Sequence, residues 1–265
     1  MDEDQHGERT PITRLTAQLR ALGIAPGDTV LVHASFRAIR PVERGPDGVI
    51  DALLNAVGED GTLLMPSWTG DDDTLFDAAS SPAAPDLGIV ADRFWRRVGV
   101  LRARHPMAFA AHGPAAMRLL RDRLVLPPHQ MASPLGRLLQ VEGKVLLLGV
   151  DHDANTLLHL AEWVAGVPYA VPRHVTLRDD AGQPVRRTYR EPDHCCVLFQ
   201  QAGNWLRARG MQESGTVGQA DARLFRAADL IEVTLPRLRQ DPFVFLHRAN
   251  CATCRAARES CMATG

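Results

Sequence analysis

The stretch VLLLGVDHDANTLLHLAEWVAGVPY, residues 145–169, decides how the chain is read. Val145 to Leu148 is an unbroken apolar run closed by Gly149, which predicts a buried strand. The polar turn Asp151-His152-Asp153 follows, and Asp153 or Asn155 supplies a helix N-cap. From Thr156 to Ala165, the residues Leu157, Leu160, Ala161 and Val164 recur at helical spacing and form one apolar stripe, ended by Gly166 and Pro168. His159 and Glu162 share a face of that helix, with Asn155 one turn earlier on the same side. A strand that delivers a polar turn and a helix start is a common place for chemistry in α/β proteins. A carboxylate beside an imidazole fixes its tautomer and raises its basicity. Standing alone, such a pair is more often solvated or structural than catalytic, so the rest of the chain has to decide.

Upstream, a helix is predicted from Pro11 to about Leu22, with Thr10 as its cap, and strands over Thr29–His33 and Gly61–Pro66. Asp47 reads as the cap of a helix over Val49–Val57. A further helix over Leu87–Val98 turns Ile89, Val90, Phe94 and Trp95 inward, and a short strand covers Val100–Arg104. Ala108–Gly113 is a small apolar patch that lets a ligand or another backbone approach closely. Helices follow at Ala115–Asp122 and from Pro134, the second capped by Ser133. Downstream, Val171–Asp179 and Gln183–Tyr189 flank the turn Asp180-Ala181-Gly182 as a hairpin. A long helix then reaches about Arg209, Gly215–Gly218 is a turn, and Asp229–Val233 has strand character. Strands alternate with helices through the first two thirds. That predicts an α/β fold, layered α/β/α around a mixed central sheet.

Residues 1–11 read as disordered, and no repeat or linker divides the chain. The expectation is one domain over 1–265, with about 170–265 contributing the hairpin and a small C-terminal subdomain. A net charge of −1 gives no electrostatic case for a nucleic-acid or membrane partner. Aromatic residues make up 5% of the chain, too few for a base-stacking surface. No apolar run is long enough to span a bilayer, and MDEDQHGERT lacks the basic start and apolar centre of a signal peptide, so a cytoplasmic protein is expected. The five cysteines, Cys195, Cys196, Cys251, Cys254 and Cys261, are an odd number and argue for metal or plain thiols over disulfides. Cys251-x-x-Cys254 is half of a tetrahedral thiolate site. His194, Cys195, Cys196 and His247 can supply the other half. The set expected for a structural zinc is His194, Cys195, Cys251 and Cys254; the alternative is reduced thiols on a frayed terminus. Asp71-Asp72-Asp73 is either solvated loop charge or a receiver for a cation.

The segments LVHASFRAIRPVERGPDGVIDAL, GTLLMPSW, HPMAFAAHGP, LPPHQMASPLGRL, VLLLGVDHDANTLLHLAE and VPYAVPRH, in this order, resemble the aminoglycoside 3-N-acetyltransferases over nearly the whole chain. The DHCC run and the CATC tail are similar to the type IV members, which acetylate apramycin and gentamicin-type drugs. The resemblance implies the antibiotic N-acetyltransferase fold, distinct from the common N-acetyltransferase fold. It also implies acetyl transfer from acetyl-CoA to the 3-amino group of the 2-deoxystreptamine ring. His159 matches the family histidine in N-T-x-L-H-x-A-E and takes the role of general base. Glu162 orients it, or is structural while the partner carboxylate comes from another loop. Asp72, Glu191 and Asp193 match positions that face the polycationic drug, with Asp71 and Asp73 as helpers and His129 reaching the site. Ser35, Arg37 and Ser133 are assigned to coenzyme A, and a homodimer is compatible with the family. The alternatives are an acetyltransferase of the same fold acting on another amine in biosynthesis, and a non-catalytic drug-binding protein, which would not need His159.

Overall fold

The computed structural model describes residues 8–121, 124–179 and 181–261. In chain order its elements are α1 (Ile12–Ala21), β1 (Thr29–Ala34), α2 (Phe36–Ile39), α3 (Pro46–Val57), β2 (Thr62–Pro66), α4 (Gly88–Trp95), β3 (Leu101–Arg102), β4 (Phe109–His112), α5 (Ala116–Leu120), α6 (Pro134–Gln140), β5 (Lys144–Leu148), α7 (Leu157–Ala165), β6 (Val171–Arg178), β7 (Pro184–Glu191), α8 (Gln200–Ala208), β8 (Glu213–Val217), β9 (Ala220–Arg226), α9 (Ala227–Gln240) and α10 (Ala252–Ser260). Seven strands make one sheet in the order β3-β4-β2-β1-β5-β9-β8. β1 runs parallel to β2 and β5, and the remaining pairs are antiparallel.

Past their first residues, Thr29, Thr62 and Lys144, the three parallel strands are apolar but for His33, because both of their faces are covered. Side chains alternate between the two faces with period two. Val30, Val32, Leu63, Met65, Leu146 and Leu148 pack with Leu15 and Leu19 of α1, Ile50 and Leu53 of α3, and Phe94 of α4. Leu31, Leu64, Val145 and Leu147 pack on the opposite face with Leu135 of α6, Leu158 of α7, Leu206 of α8 and Leu230 of α9. The layered α/β/α architecture with a mixed sheet is therefore the one expected. The hairpin β6–β7 forms a separate two-stranded sheet. A small third cluster joins Tyr169, Leu246, Cys254 and Ala257 beside Cys195 and Phe243.

Several local expectations change. Ala108–Gly113 is largely β4, whose Ala110 and Ala111 face Met65 and Leu64 across the ladder. Asp229–Val233 is helical, inside α9: Leu230, Val233, Thr234 and Leu238 are buried at helical spacing, and packing overrides the β-branched content. Residues 215–217 complete β8 and do not form a turn. The cap of α3 is Gly45 with Pro46 following, while Asp47 lies in the first turn. Pro11, not Thr10, stands at the cap of α1, and Ile89 is exposed. The helix before Arg209 starts at Gln200, after one tight turn over Val197–Phe199. Residues 1–7 of the segment read as disordered, Asp122 of the helix predicted over Ala115–Asp122 and Asp180 of the hairpin turn lie outside the described residues. Among the described residues, no helix is long and apolar enough to cross a membrane.

Candidate active site

β2 and β5 flank β1 on opposite sides, so the chain departs in two directions from neighbouring strand ends. In open α/β sheets that switch point leaves a crevice. A cleft of about 500 Å³ opens there. His33 and Ala34 come from the end of β1, Met65, Pro66 and Trp68 from the end of β2, and Asp153, Asn155 and Thr156 from the turn after β5. Burial lowers the pKa of His33 to about 4, so this ring is neutral. The turn is locked from below. Asn155 Oδ1 accepts from the Leu157 N–H at 3.2 Å, and its amide donates to His152 Nδ1 at 3.2 Å. His152 Nε2 then donates to Gln212 Oε1 at 3.0 Å. The fully buried His152 is thus a neutral strut, and burial lowers its pKa.

On this fixed turn, α7 presents His159 to the cleft. Its Nδ1 lies 2.9 Å from Glu162 Oε2. Glu162 has no solvent exposure, and its other oxygen accepts from Tyr169 Oη at 2.5 Å and His194 Nε2 at 2.9 Å. His194 Nδ1 accepts from the Cys196 N–H at 3.0 Å, which fixes that ring in the tautomer that donates to Glu162. Burial opposes the charge on Glu162, but its partners outweigh burial and hold the pKa down at about 2. Burial likewise opposes protonation of His159. The hydrogen bonds to Cys196 and Glu162 overcome it and hold the imidazole well above its ordinary range. His159 Nε2 faces away from Glu162, with Cys196 Sγ at 3.6 Å. The His129 ring is centred 5.2 Å from that of His159, and its Nδ1 lies 3.1 Å from Glu191 Oε2.

An oriented, basic imidazole at the floor of a cleft with carboxylates nearby suits proton abstraction from a cationic amine. The family model described as aminoglycoside 3-N-acetyltransferase matches residues 31–239. The chain belongs to the aminoglycoside 3-N-acetyltransferase family. It is 54% identical to aminoglycoside N(3)-acetyltransferase IV of Salmonella sp. over 233 residues, covering 88% of this chain and 89% of that protein. The structure of aminoglycoside acetyltransferase AAC(3)-IVa as apoenzyme superimposes with a TM-score of 0.94 at 51% identity, covering 97% of this chain and 100% of the other. The same relative has been solved as a histidine-to-alanine mutant in complex with a gentamicin, with equal scores and coverage, and with apramycin, at a TM-score of 0.85, 50% identity and coverage of 90% and 96%. AAC-IIIb, solved as a binary complex with CoASH, matches with a TM-score of 0.81 at 28% identity, covering 88% of this chain and 97% of that one.

Of the residues expected on the drug side, His129 stands beside His159 and holds Glu191. Asp193 lines the cleft and pairs with Arg173. Glu191 is buried beside His129, and Tyr189 Oη reaches its other oxygen at 3.4 Å. Asp72 is half-buried behind the hairpin, where its carbonyl accepts from Thr176 Oγ1 at 2.8 Å, and burial raises its pKa. Asp73 bonds His174 Nε2 at 2.8 Å on the exposed side, while Asp71 accepts from the backbone of Asp73 and Thr74. The residues assigned to coenzyme A, Ser35, Arg37 and Ser133, are not among those lining the cleft. Ser35 stands at the start of α2, the side chain of Arg37 is exposed, and Ser133 is fully buried with no hydrogen-bond partner for its hydroxyl among the described residues. Sequence reasoning missed Asp86, Asp153 and Arg173 in the lining and Tyr169 behind it. One signal was available: the chain has two tyrosines, and both bond a carboxylate of the site.

The ligand atoms of Cys195, His247, Cys251 and Cys254 all lie within 4.8 Å of one another. Cys195 Sγ is 3.2 Å from His247 Nδ1 and 3.5 Å from Cys254 Sγ. Zinc bonds of about 2.3 Å to sulfur and about 2.0 Å to nitrogen, at tetrahedral angles, require edges of roughly 3.5–3.8 Å, so three thiols and one imidazole fit that ion. His194 is displaced from the expected set because both of its nitrogens are taken, by Glu162 and by the Cys196 backbone. His247 fills its place, and the Cys196 side chain turns to His159.

Proposed function

We propose that this acetyltransferase moves the acetyl group of acetyl-CoA directly to the 3-amino group of the 2-deoxystreptamine ring of gentamicin-type drugs and apramycin. The observation that carries the reading is the His159–Glu162 pair at the floor of a cleft whose lining includes Asp86, Asp153 and Asp193. Carboxylates on separate loops draw a polycation and desolvate it in a defined pose. Near His159 Nε2 the drug's ammonium gives up its proton. The freed amine attacks the thioester carbonyl, the carbon–sulfur bond breaks, the CoA sulfur leaves with the electron pair and takes that proton from the imidazolium, and the proton still held by the newly acylated nitrogen passes to solvent as the neutral amide forms. Glu162 keeps the proton on Nδ1, so that Nε2 is the accepting nitrogen, and it offsets the positive charge that forms on the ring. Glu191 and His129 flank this ring, and Asp193 and Asp72 face the drug's remaining ammonium groups. Support comes from the drug complexes of a relative captured with an alanine in place of a histidine, and from the CoASH complex of a more distant one.

The chain works as one unit, in the cytoplasm, where acetyl-CoA is made. A zinc ion held by Cys195, His247, Cys251 and Cys254 would tie α10 and the tail to the segment before α8. Its contribution is structural, since all four ligands are protein side chains and no coordination position is open.

The test is CoA thiol release from acetyl-CoA with gentamicin and with apramycin, and location of the acetyl group in the product. Release with both and acetylation at the 3-amino group supports the reading. A well-folded protein that releases no thiol with either drug sends the substrate search to other amines.

A further inference from the structure

Cys196 lines the cleft and takes no part in the reaction derived above. Its Sγ stands 3.6 Å from His159 Nε2, the nitrogen that meets the reacting groups. Behind the ring, His159 Nδ1 is 2.9 Å from Glu162, itself held by Tyr169 and His194. Thiol, imidazole and buried carboxylate are therefore arranged as nucleophile, base and orienting group. The backbone is a second, independent observation. Cys196 has φ 59° and ψ −4°, the left-handed region that L side chains seldom occupy. Such a conformation is strained and persists where the surroundings enforce it. Here the Cys196 N–H is fixed on His194 Nδ1, and the tight turn leading into α8 begins at the next residue. The turn is held from both sides, and it places the thiol between His159 Nε2 at 3.6 Å and the His194 carbonyl at 3.4 Å. The neighbouring thiol, Cys195, points instead at His247 and Cys254.

We propose that Cys196 is an acyl-accepting nucleophile: with no amine in the cleft, its thiol takes the acetyl group from acetyl-CoA and holds it as S-acetyl-Cys196. This rests on acetyl-CoA being the donor, as proposed above. A carbonyl poised for attack by an amine beside His159 Nε2 is also within attack range of a sulfur that shares that nitrogen. In the step, His159 Nε2 takes the thiol proton and a bond forms from Cys196 Sγ to the carbonyl carbon. The bond from that carbon to the CoA sulfur breaks, its electron pair leaves with the CoA sulfur, and His159 returns the proton there. One thioester and one thiol become another thioester and another thiol, with no oxidant or reductant. The exchange is close to isoenergetic, so the acyl-enzyme accumulates when acetyl-CoA exceeds free CoA. A bound amine competes for the same nitrogen and takes the acetyl group in its place.

The full chain is mixed with excess acetyl-CoA in the absence of drug, quenched in acid, and analysed by intact mass and by peptide mapping. A portion of the same preparation is assayed with gentamicin. The expected result is one acetyl group per chain on Cys196, removed by neutral hydroxylamine, absent from Cys196→Ala, and formed at least about tenfold more slowly in His159→Ala. Unmodified Cys196 in a sample that turns over gentamicin overturns the proposal, and so does acetyl spread evenly over Cys196 and Cys261. Acetyl on Cys196 without gentamicin turnover keeps this proposal and sinks the drug reading. Neither acetylation nor turnover sinks both.

Discussion

Replacing Glu162 with Gln removes one charge and leaves nearly the same shape. The carboxylate is buried and receives hydrogen bonds from His159, His194 and Tyr169. Its pKa moves from the ordinary 4.5 to about 2 on folding, which corresponds to roughly 3 kcal/mol of stability held by the charged form. The folded pKa is depressed, so this stability is present in full above the unfolded pKa. It is lost as the pH falls from 4.5 toward about 2. Glu162→Gln should therefore lose about 3 kcal/mol in urea unfolding at pH 7, the range seen for breaking a buried pair, and the gap to wild type should close in acid. The catalytic effect is separate. An amide has one oxygen, which Tyr169 and His194 claim together, so its NH₂ turns to His159 Nδ1. That drives the imidazole proton onto Nε2, and the base loses its acceptor. Turnover should fall about 10²- to 10⁴-fold. In wild type, activity should rise with pH as His159 loses a proton it holds well above the usual range. In the variant that limb should move to lower pH. Thiol release measured across pH checks this. A variant within threefold of wild-type turnover, with an unmoved pH limb, would refute Glu162 as the orienting group.

Three further outcomes follow from the same structure. The purified chain should carry about one zinc per molecule, and stripping it or making Cys254→Ser should lower the melting temperature and turnover together, because Cys195 sits between His194 and Cys196; metal analysis with a melting curve checks this. Asp193→Asn should raise the KM for gentamicin several-fold at low salt, with little change in kcat, and the difference should shrink as salt is added. Leu147→Ala, at a fully buried position of the central sheet, should cost about 3 kcal/mol in urea unfolding with an unchanged site.

The core of the fold was legible where physics is local. Val145–Leu148 is apolar without a break because β5 is covered on both faces, and the stripe through Leu157 and Leu160 is the face of α7 on the sheet. The His159–Glu162 contact was legible for the same reason, since one helical turn sets its geometry. What needed the third dimension was missed. His194 and His247 read alike in sequence as candidates beside the thiols, and only the fold shows that His194 is engaged by Glu162 and the Cys196 backbone while His247 lies against Cys195 and Cys254. Ser133 stands at the cap of α6 with Pro134 following, as its residue type suggests, but its full burial without a side-chain cap bond follows from tertiary packing that the sequence does not display. Residues 229–233 carry strand-like side chains inside a helix, since neighbours from distant segments set the face that is buried.

The hairpin β6–β7 has its own ladder and is not a member of the main sheet. It meets the acidic loop through Thr176 and His174, and it carries Arg173 to the cleft and Glu191 to His129. Two segments about a hundred residues apart in sequence thus form one wall, while His159 stands on a helix packed against the main sheet. Insertions at the hairpin tip, or exchanges along its inner face, leave the register of the seven strands untouched. Lineages under pressure from a new drug can reshape that wall by small heritable steps, without rebuilding the machinery that moves the proton.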